Sequence, residues 1–195
     1  MKLSIQLQYL NAHHRLAKLR MPRTFSEKLQ HRKLYERDDR FAPYADKIEA
    51  KRIVADMGEP QILIPTLWSG PHLPPREGRH WPFPYVIKSN LGSGWNIFVR
   101  GPEDQIWDEI ERRVARWSTD IYKPYLQERF YQDIAPQLLV EPLIGKADEL
   151  PTDYKFYCFD GVPRLITVQT ERQKELRMTN LDADWRSLDV FYAYP

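Results

Sequence analysis

The run Val86-Ile87-Lys88-Ser89-Asn90-Leu91-Gly92-Ser93-Gly94-Trp95-Asn96-Ile97-Phe98-Val99 constrains this chain more than any other stretch. Val86 and Ile87 are β-branched and favour an extended strand, and Ile97-Phe98-Val99 returns as a second one. Between them, Gly92 and Gly94 lack a Cβ, so the backbone can take positive φ and come close to a ligand. A loop of this kind turns several backbone N–H groups toward one anion. Lys88, at the end of the first strand, supplies a compact ammonium suited to phosphate oxygens. The same residues also read as an ordinary hairpin with a Gly-Ser-Gly turn and a surface lysine. Local sequence leaves both readings open.

The rest of the chain narrows the setting. Its 195 residues suit one domain, or one domain with a small attachment, and can bury a sizeable core. A net charge of +2 with acids and bases interspersed is not the signature of a nucleic-acid partner. No apolar run approaches the length of a membrane span, and Met1 to Gln8 is too polar for a secretory leader. The single cysteine, Cys158, fits a reducing compartment, so a cytoplasmic protein is expected. His13 and His14 are adjacent and diverge on a helix, while His31, His72 and His80 stand alone, so no metal-ligand spacing is present.

Residues 1–60 read as a helical N-terminal part, followed by mixed segments over 61–145 and 146–195. Thr24 and Glu27 have capping-box spacing, and the basic run from His13 to Arg23 reads as a solvated helix in preference to a patch for nucleic acid or an anionic saccharide. Ala50, Ile53, Val54 and Met57 share a helical face that Gly58 and Pro60 terminate. Gln61 to Leu67 is apolar and β-branched enough for a first strand. Pro102 suits a helix start, and Ile106, Trp107, Ile110, Val114 and Trp117 then form a stripe that packs on a sheet. Leu138 to Ile144 is a buried-looking strand carrying one acid, Glu141. Asp153 to Phe159 alternates, Asp160-Gly161 is a hairpin turn, and Arg164 to Glu171 is the returning strand. After Arg172 the chain is polar and weakly patterned. Trp68, Trp81, Trp95 and Trp185 are candidates for stacking on sugars, although packing explains most tryptophans.

Several chemistries are excluded by pattern. There is no Gly-Lys-Ser/Thr ending of a Walker loop, no Gly-x-Gly-x-x-Gly fingerprint and no Gly-x-Ser-x-Gly elbow. A kinase-like phosphotransferase lacks its His-Arg-Asp and Asp-Phe-Gly segments. What remains is a lysine-bearing strand, a glycine-rich loop, an acid on an apolar strand and a later strand of mixed charge. In that order stand Pro22-Arg23-Thr24-Phe25-Ser26-Glu27-Lys28-Leu29-Gln30, Ala45-Asp46-Lys47, Val86 to Gly94, Leu139-Val140-Glu141, and Pro151-Thr152-Asp153-Tyr154-Lys155-Phe156-Tyr157-Cys158-Phe159-Asp160-Gly161. In these segments, spread from about Pro22 to Trp185, the chain resembles the ATP-grasp proteins, most closely the TupA-like branch of the teichuronopeptide-biosynthesis type.

The resemblance implies an α+β ATP-grasp fold, two-lobed, with antiparallel sheets and packed helices, in which 61–145 is the nucleotide-binding lobe and 146–195 a C-terminal lobe that is incomplete here. It implies that Lys88 reaches the α- and β-phosphates of ATP while Gly92, Ser93 and Gly94 cover them. The backbone from Glu141 through Leu143 to Ile144 would read the adenine edge. Asp153 and Lys155 would lie near ribose and phosphates, and Arg172 would hold an acyl phosphate or a substrate carboxylate. On local sequence, Asp153 and Lys155 also read as a cross-strand charged pair, and Lys47 and Lys51 either reach nucleotide phosphate from the preceding helix or, the favoured reading, form a solvated helix face. The implied reaction joins a carboxylate, plausibly on a uronic-acid saccharide, to an amino acid or amine, using ATP and magnesium. The acids that hold magnesium in the family have no counterpart in this sequence. The other reading is a remnant that binds nucleotide or an anionic saccharide without turnover. Two departures stand inside the matched segments: Leu91 occupies a position that is usually polar, and Pro142 removes an N–H after Glu141.

Overall fold

The structure is a computed structural model that describes residues 2–36, 39–120, 122, 125, 128–145, 150–171 and 175–190. The chain forms two compact units, Met1–Pro142 and Leu143–Pro195.

The first unit opens with helices α1 (Lys2–His13), α2 (Phe25–Tyr35), α3 (Ala42–Ala45) and α4 (Lys47–Asp56). At the start of α2, Thr24 Oγ1 accepts from the Glu27 N–H at 3.3 Å, and the Glu27 carboxylate accepts from the Thr24 N–H at 3.1 Å. This is the capping box that the Thr24–Glu27 spacing predicts. Glu27 does more than cap. Its buried carboxylate also accepts from the Arg15 guanidinium at 2.6 Å, the Lys18 N–H at 3.1 Å and the Arg23 N–H at 2.9 Å. The Arg15 hydrogen bond, seconded by the backbone donors, holds this carboxyl well below the usual carboxylate range. The basic run is therefore not a helix: α1 ends at His13, and residues 14–24 wrap as a loop around one carboxylate.

Four antiparallel strands, β1 (Trp68–Gly70), β2 (Tyr85–Ser89), β3 (Asn96–Val99) and β4 (Leu138–Pro142), form a sheet in the order β1-β4-β2-β3. The first strand begins later than the apolar run Gln61–Leu67 suggested. Pro60–Ile62 is a 3-10 turn, and Pro65 has no N–H for a ladder. Only at Leu67, whose N–H donates to the Val140 carbonyl at 2.8 Å, does the chain join the sheet.

Helix α5 (Trp107–Thr119) lays Ile110, Val114 and Trp117 on one face of the sheet, against Tyr85, Ile87, Ile97, Val99, Leu138 and Val140. The spacing i, i+4, i+7 makes that stripe. Ile106 lies outside it, exposed, because Pro102–Asp104 forms its own short turn and the helix starts one residue later.

The second unit is a three-stranded antiparallel sheet of β5 (Asp153–Phe159), β6 (Val162–Thr170) and β7 (Arg177–Leu181). Asp160 (φ 51) and Gly161 (φ 77) make the two-residue turn with both residues left-handed, as the Asp-Gly pair predicts. Strand β7 was not legible, because Arg-Met-Thr-Asn-Leu carries no apolar alternation. It is held by polar contacts: Thr167 Oγ1 donates to Asn180 Oδ1 at 2.7 Å, and Asn180 Nδ2 donates to the Val190 carbonyl at 2.7 Å.

Thr24→Ala removes a single cap bond and should cost about 1 kcal/mol. Glu27→Ala strands Arg15 and three backbone donors and should lower the thermal midpoint distinctly further. Equal losses in the two variants would show that the carboxylate does not organise residues 14–24.

Candidate nucleotide site

Strand pleating decides which side chains meet. Tyr85 and Ile87 of β2, with Leu138 and Val140 of β4, point toward α5, so Val86, Lys88, Leu139 and Glu141 point to the opposite face. There Lys88 Nζ donates to Glu141 Oε2 at 2.6 Å. Helix α4 brings a second ammonium to the same carboxylate. Lys51 Nζ donates to Glu141 Oε1 and, at 2.8 Å, to Thr66 Oγ1. Glu141 is buried at 4 % exposure, which by itself pushes its carboxyl up. The hydrogen bonds from Lys51 and Lys88 outweigh that, and the net shift is downward. Both lysines keep partial access to water, with side chains 20 % and 26 % exposed.

A third ammonium lies on the loop itself. Lys47 Nζ donates to the carbonyls of Gly92 at 2.7 Å, Leu91 at 3.0 Å and Asn90 at 3.3 Å. Burial, and then the neighbouring Lys88 charge, push its pKa down to about 8. Lys47 and Lys51 stand one helical turn apart on one face of α4. That face is turned into the site, not into solvent as the sequence suggested. The i, i+4 spacing behind the Asp46 cap was the available signal.

Helix α4 is placed by a buried amide. Asn90 Nδ2 donates to Asp46 Oδ2 at 2.9 Å and to the Ala135 carbonyl at 3.0 Å, while its Oδ1 accepts from the Gln137 N–H at 2.8 Å. Asp46 Oδ1 in turn accepts from the N–H groups of Ile48 at 2.8 Å and Glu49 at 3.3 Å, capping α4. The amide thus ties the first residue after β2 to the helix that carries both lysines. Leu91, the departure from the expected polar residue, is buried against Ala42 and Ile134.

Past that anchor the loop turns with Gly92 (φ 61) and Gly94 (φ 86) in the left-handed region. The two glycines differ. A Cβ on Gly92 would lie 2.3 Å from Tyr122 Cδ2, whereas nothing lies within 4 Å of one on Gly94. The Tyr122 hydroxyl donates to the Ser93 carbonyl at 3.2 Å, and its ring meets Trp95 edge-on at 5.3 Å. Tyr122 had no sequence signal. Trp95 stacks on Trp117 at 6.3 Å and Trp68 packs 6.1 Å from the buried Trp81, so these three of the four sugar-stacking candidates other than Trp185 serve packing.

The structure therefore brings together Lys88, Glu141 and the loop of Gly92, Ser93 and Gly94. The remaining candidates belong to the second unit. Leu143 is half-buried and Ile144 exposed, both directly after β4. Asp153 and Lys155 are two apart on β5, 3.9 Å between charged atoms, so they pair along one strand and not across two. Arg172 lies outside the described residues.

The profile of the TupA-like ATP-grasp family matches residues 27–195. The chain belongs to that family. No curated protein and no solved structure matches it. Membership supports an ATP-binding, ligase-type function for the α+β architecture described above. The donor set fits a polyphosphate: three ammonium groups beside a loop with two left-handed glycines. Among the described residues no group of three or more His, Cys, Asp or Glu stands together, so no residue is assigned to a metal.

Two variants test the site's internal logic. Asn90→Ala leaves Asp46 and the Gln137 N–H without a partner and should cost about 3 kcal/mol in thermal or denaturant unfolding. A loss below about 0.5 kcal/mol would refute the anchoring role. The double variant Lys51→Ala/Lys88→Ala strands a buried carboxylate, worth about 3–5 kcal/mol. In the parent protein the stabilisation from Glu141 is present above the ordinary carboxylate range and is lost as pH falls below it. The double variant reverses that sign, so its deficit should be larger at pH 8 than at pH 5.

Proposed function

We propose that this protein binds ATP with the triphosphate over Lys88, Lys51 and the Gly92-Ser93-Gly94 loop, as part of an ATP-dependent carboxylate–amine ligase. The observation that carries this reading is the convergence of Lys47, Lys51 and Lys88 on one sheet face beside that loop. Glu141 is the counter-ion of Lys51 and Lys88 in the free protein, and a triphosphate competes with it for the same two donors. One ammonium about 4 Å from a phosphate charge is worth roughly 4 kcal/mol at an effective dielectric near 20, before desolvation. Three cations, Lys47, Lys51 and Lys88, against two carboxylates, Glu141 and Asp46, leave one positive charge in surplus for that purpose.

In the proposed reaction a substrate carboxylate oxygen attacks the γ-phosphorus and ADP departs. The amine then attacks the acyl carbon, phosphate leaves, and the amine's proton passes to solvent or a base. Lys88 and Lys51 hold the charge that builds on the phosphoryl oxygens, which is where fixed cations lower a barrier. Magnesium, when bound, would add the same kind of charge neutralisation. The backbone of Glu141, Leu143 and Ile144 is proposed to read the adenine edge. Asp153 is proposed for the ribose, Lys155 for phosphate, and Arg172 for the acyl phosphate or substrate carboxylate. These roles rest on the family resemblance. A uronic-acid-containing surface polysaccharide as acceptor rests on it as well, whereas a cytoplasmic location is proposed from the single cysteine, Cys158.

Lys88→Ala should weaken ATP binding at least tenfold by calorimetry, while the unliganded protein keeps its melting temperature within a few degrees because Lys51 still holds Glu141. Unchanged affinity would overturn the phosphate assignment. Titrations with and without magnesium, followed by ADP release in the presence of uronic acids and amino acids, separate the ligase from a nucleotide-binding remnant.

The pH dependence has a defined sign. Lys47 carries its charge below about 8, so ATP affinity should fall several-fold between pH 7 and pH 9. The same depressed pKa means the unliganded fold gains from this group as pH rises above about 8. Lys47→Gln should flatten the affinity profile; a profile that keeps its slope would exclude Lys47 from the phosphate site.

A further inference from the structure

Helix α1 has two apolar faces. Ile5 and Tyr9 point inward and pack with Ala17, Leu19 and Leu34. Leu3, Leu7 and Leu10, spaced i, i+4, i+7, form a second stripe that is open to water, with Leu3 73 % exposed. A stripe of three exposed leucines is not needed to hold the helix, because the other face does that.

The charge around the stripe is one-sided. Residues 1–26 hold Lys2, Arg15, Lys18, Arg20 and Arg23 and no Asp or Glu, a net +5. The other 169 residues carry 24 Lys and Arg against 27 Asp and Glu, a net −3. The loop that bears most of these cations is fixed against α1. Gln6 Nε2 donates to the Ala17 carbonyl at 3.0 Å, and the Ala17 N–H donates to Gln6 Oε1 at 2.9 Å. Within that loop Lys18, Arg20 and Arg23 are exposed beside exposed Leu16 and Met21. Glu27 neutralises Arg15 alone from inside and leaves the other cations outward. This segment lies ahead of the profile match, which begins at residue 27.

An apolar stripe flanked by neutral polar residues, on a helix whose adjoining loop carries only positive charge, is complementary to a surface that offers hydrocarbon and negative charge together. We propose that α1 and the loop after it dock the protein on an anionic lipid bilayer, with Leu3, Leu7 and Leu10 in the headgroup–acyl boundary and Lys18, Arg20 and Arg23 on the lipid headgroups. At 12 residues, about 18 Å, α1 is too short to span a bilayer and lies in its plane. Neither term suffices alone: exposed cations add on the order of 1 kcal/mol each near such a surface, and the leucines supply the contact that salt does not screen.

Co-sedimentation of the full chain with vesicles tests this, using pure phosphatidylcholine and a 7:3 mixture of phosphatidylcholine with phosphatidylglycerol (mixture chosen on the order of bacterial anionic content). Binding should be at least tenfold stronger to the mixture. Leu3→Gln/Leu7→Gln/Leu10→Gln removes apolarity without adding charge and should reduce it at least tenfold. Lys18→Gln/Arg20→Gln/Arg23→Gln should do the same and abolish the dependence on anionic lipid. Melting temperatures close to the parent's in both variants show that loss of binding is not loss of fold. No binding to the mixture overturns the proposal. So does binding that is indifferent to the leucines, which would be plain adsorption of a basic loop. A dimer in light scattering that the leucine variant dissociates would also overturn it, since the stripe would then be covered by a second copy.

Discussion

A carboxylate buried on the outer face of the first sheet, Glu141, is held by two ammonium groups from two different elements. Lys88 comes from the adjacent strand and Lys51 from α4. With neither lysine the carboxylate would be a stranded buried charge, which is costly, whereas one of them alone still pairs it. The pair therefore pins α4 to the sheet, and with it Lys47, which holds the glycine loop by its carbonyls. Strand, helix and loop thus share one electrostatic centre. That centre is positive overall and partly open to water, which is the condition for exchanging an internal carboxylate for an external polyphosphate.

The anchoring of the loop is asymmetric. Asn90 is sunk in a satisfied network with Asp46, Ala135 and Gln137, so the loop's first residue is rigid. Two residues on, Gly92 is packed against the Tyr122 ring, and nothing lies within 4 Å of where a Cβ on Gly94 would stand. A fixed base with a tip free to rearrange at Gly94 is what a phosphate-covering loop requires. The core beneath it, α5 on the opposite sheet face, is ordinary apolar packing and carries no chemistry.

The readable part of the sequence was that governed by local rules. The capping box at Thr24 and Glu27, the Asp160-Gly161 turn, the α5 stripe and the two strands around the glycine loop each follow from short-range spacing. The errors share a cause as well. Gln61–Leu67 has strand composition, but the 3-10 turn begun at Pro60 and the missing N–H of Pro65 keep it out of the ladder; His13–Arg23 has no helix breaker until Pro22 yet is drawn into a loop by a distant carboxylate. Strand β7 is polar because side-chain hydrogen bonds, not apolar burial, hold it.

By itself the sequence determined the family and the α+β class, and it singled out the strand and loop proposed to face phosphate, because Lys88, Gly92 and Gly94 lie within one short segment. Only the tertiary structure decided that Lys47 and Lys51 belong to the site, that Glu141 acts through its side chain, and that Asn90 and Tyr122 secure the loop. These contacts join residues 29 to 90 positions apart. Their partners are chosen by which face of a strand and which turn of a helix are brought together, and no local spacing records that choice.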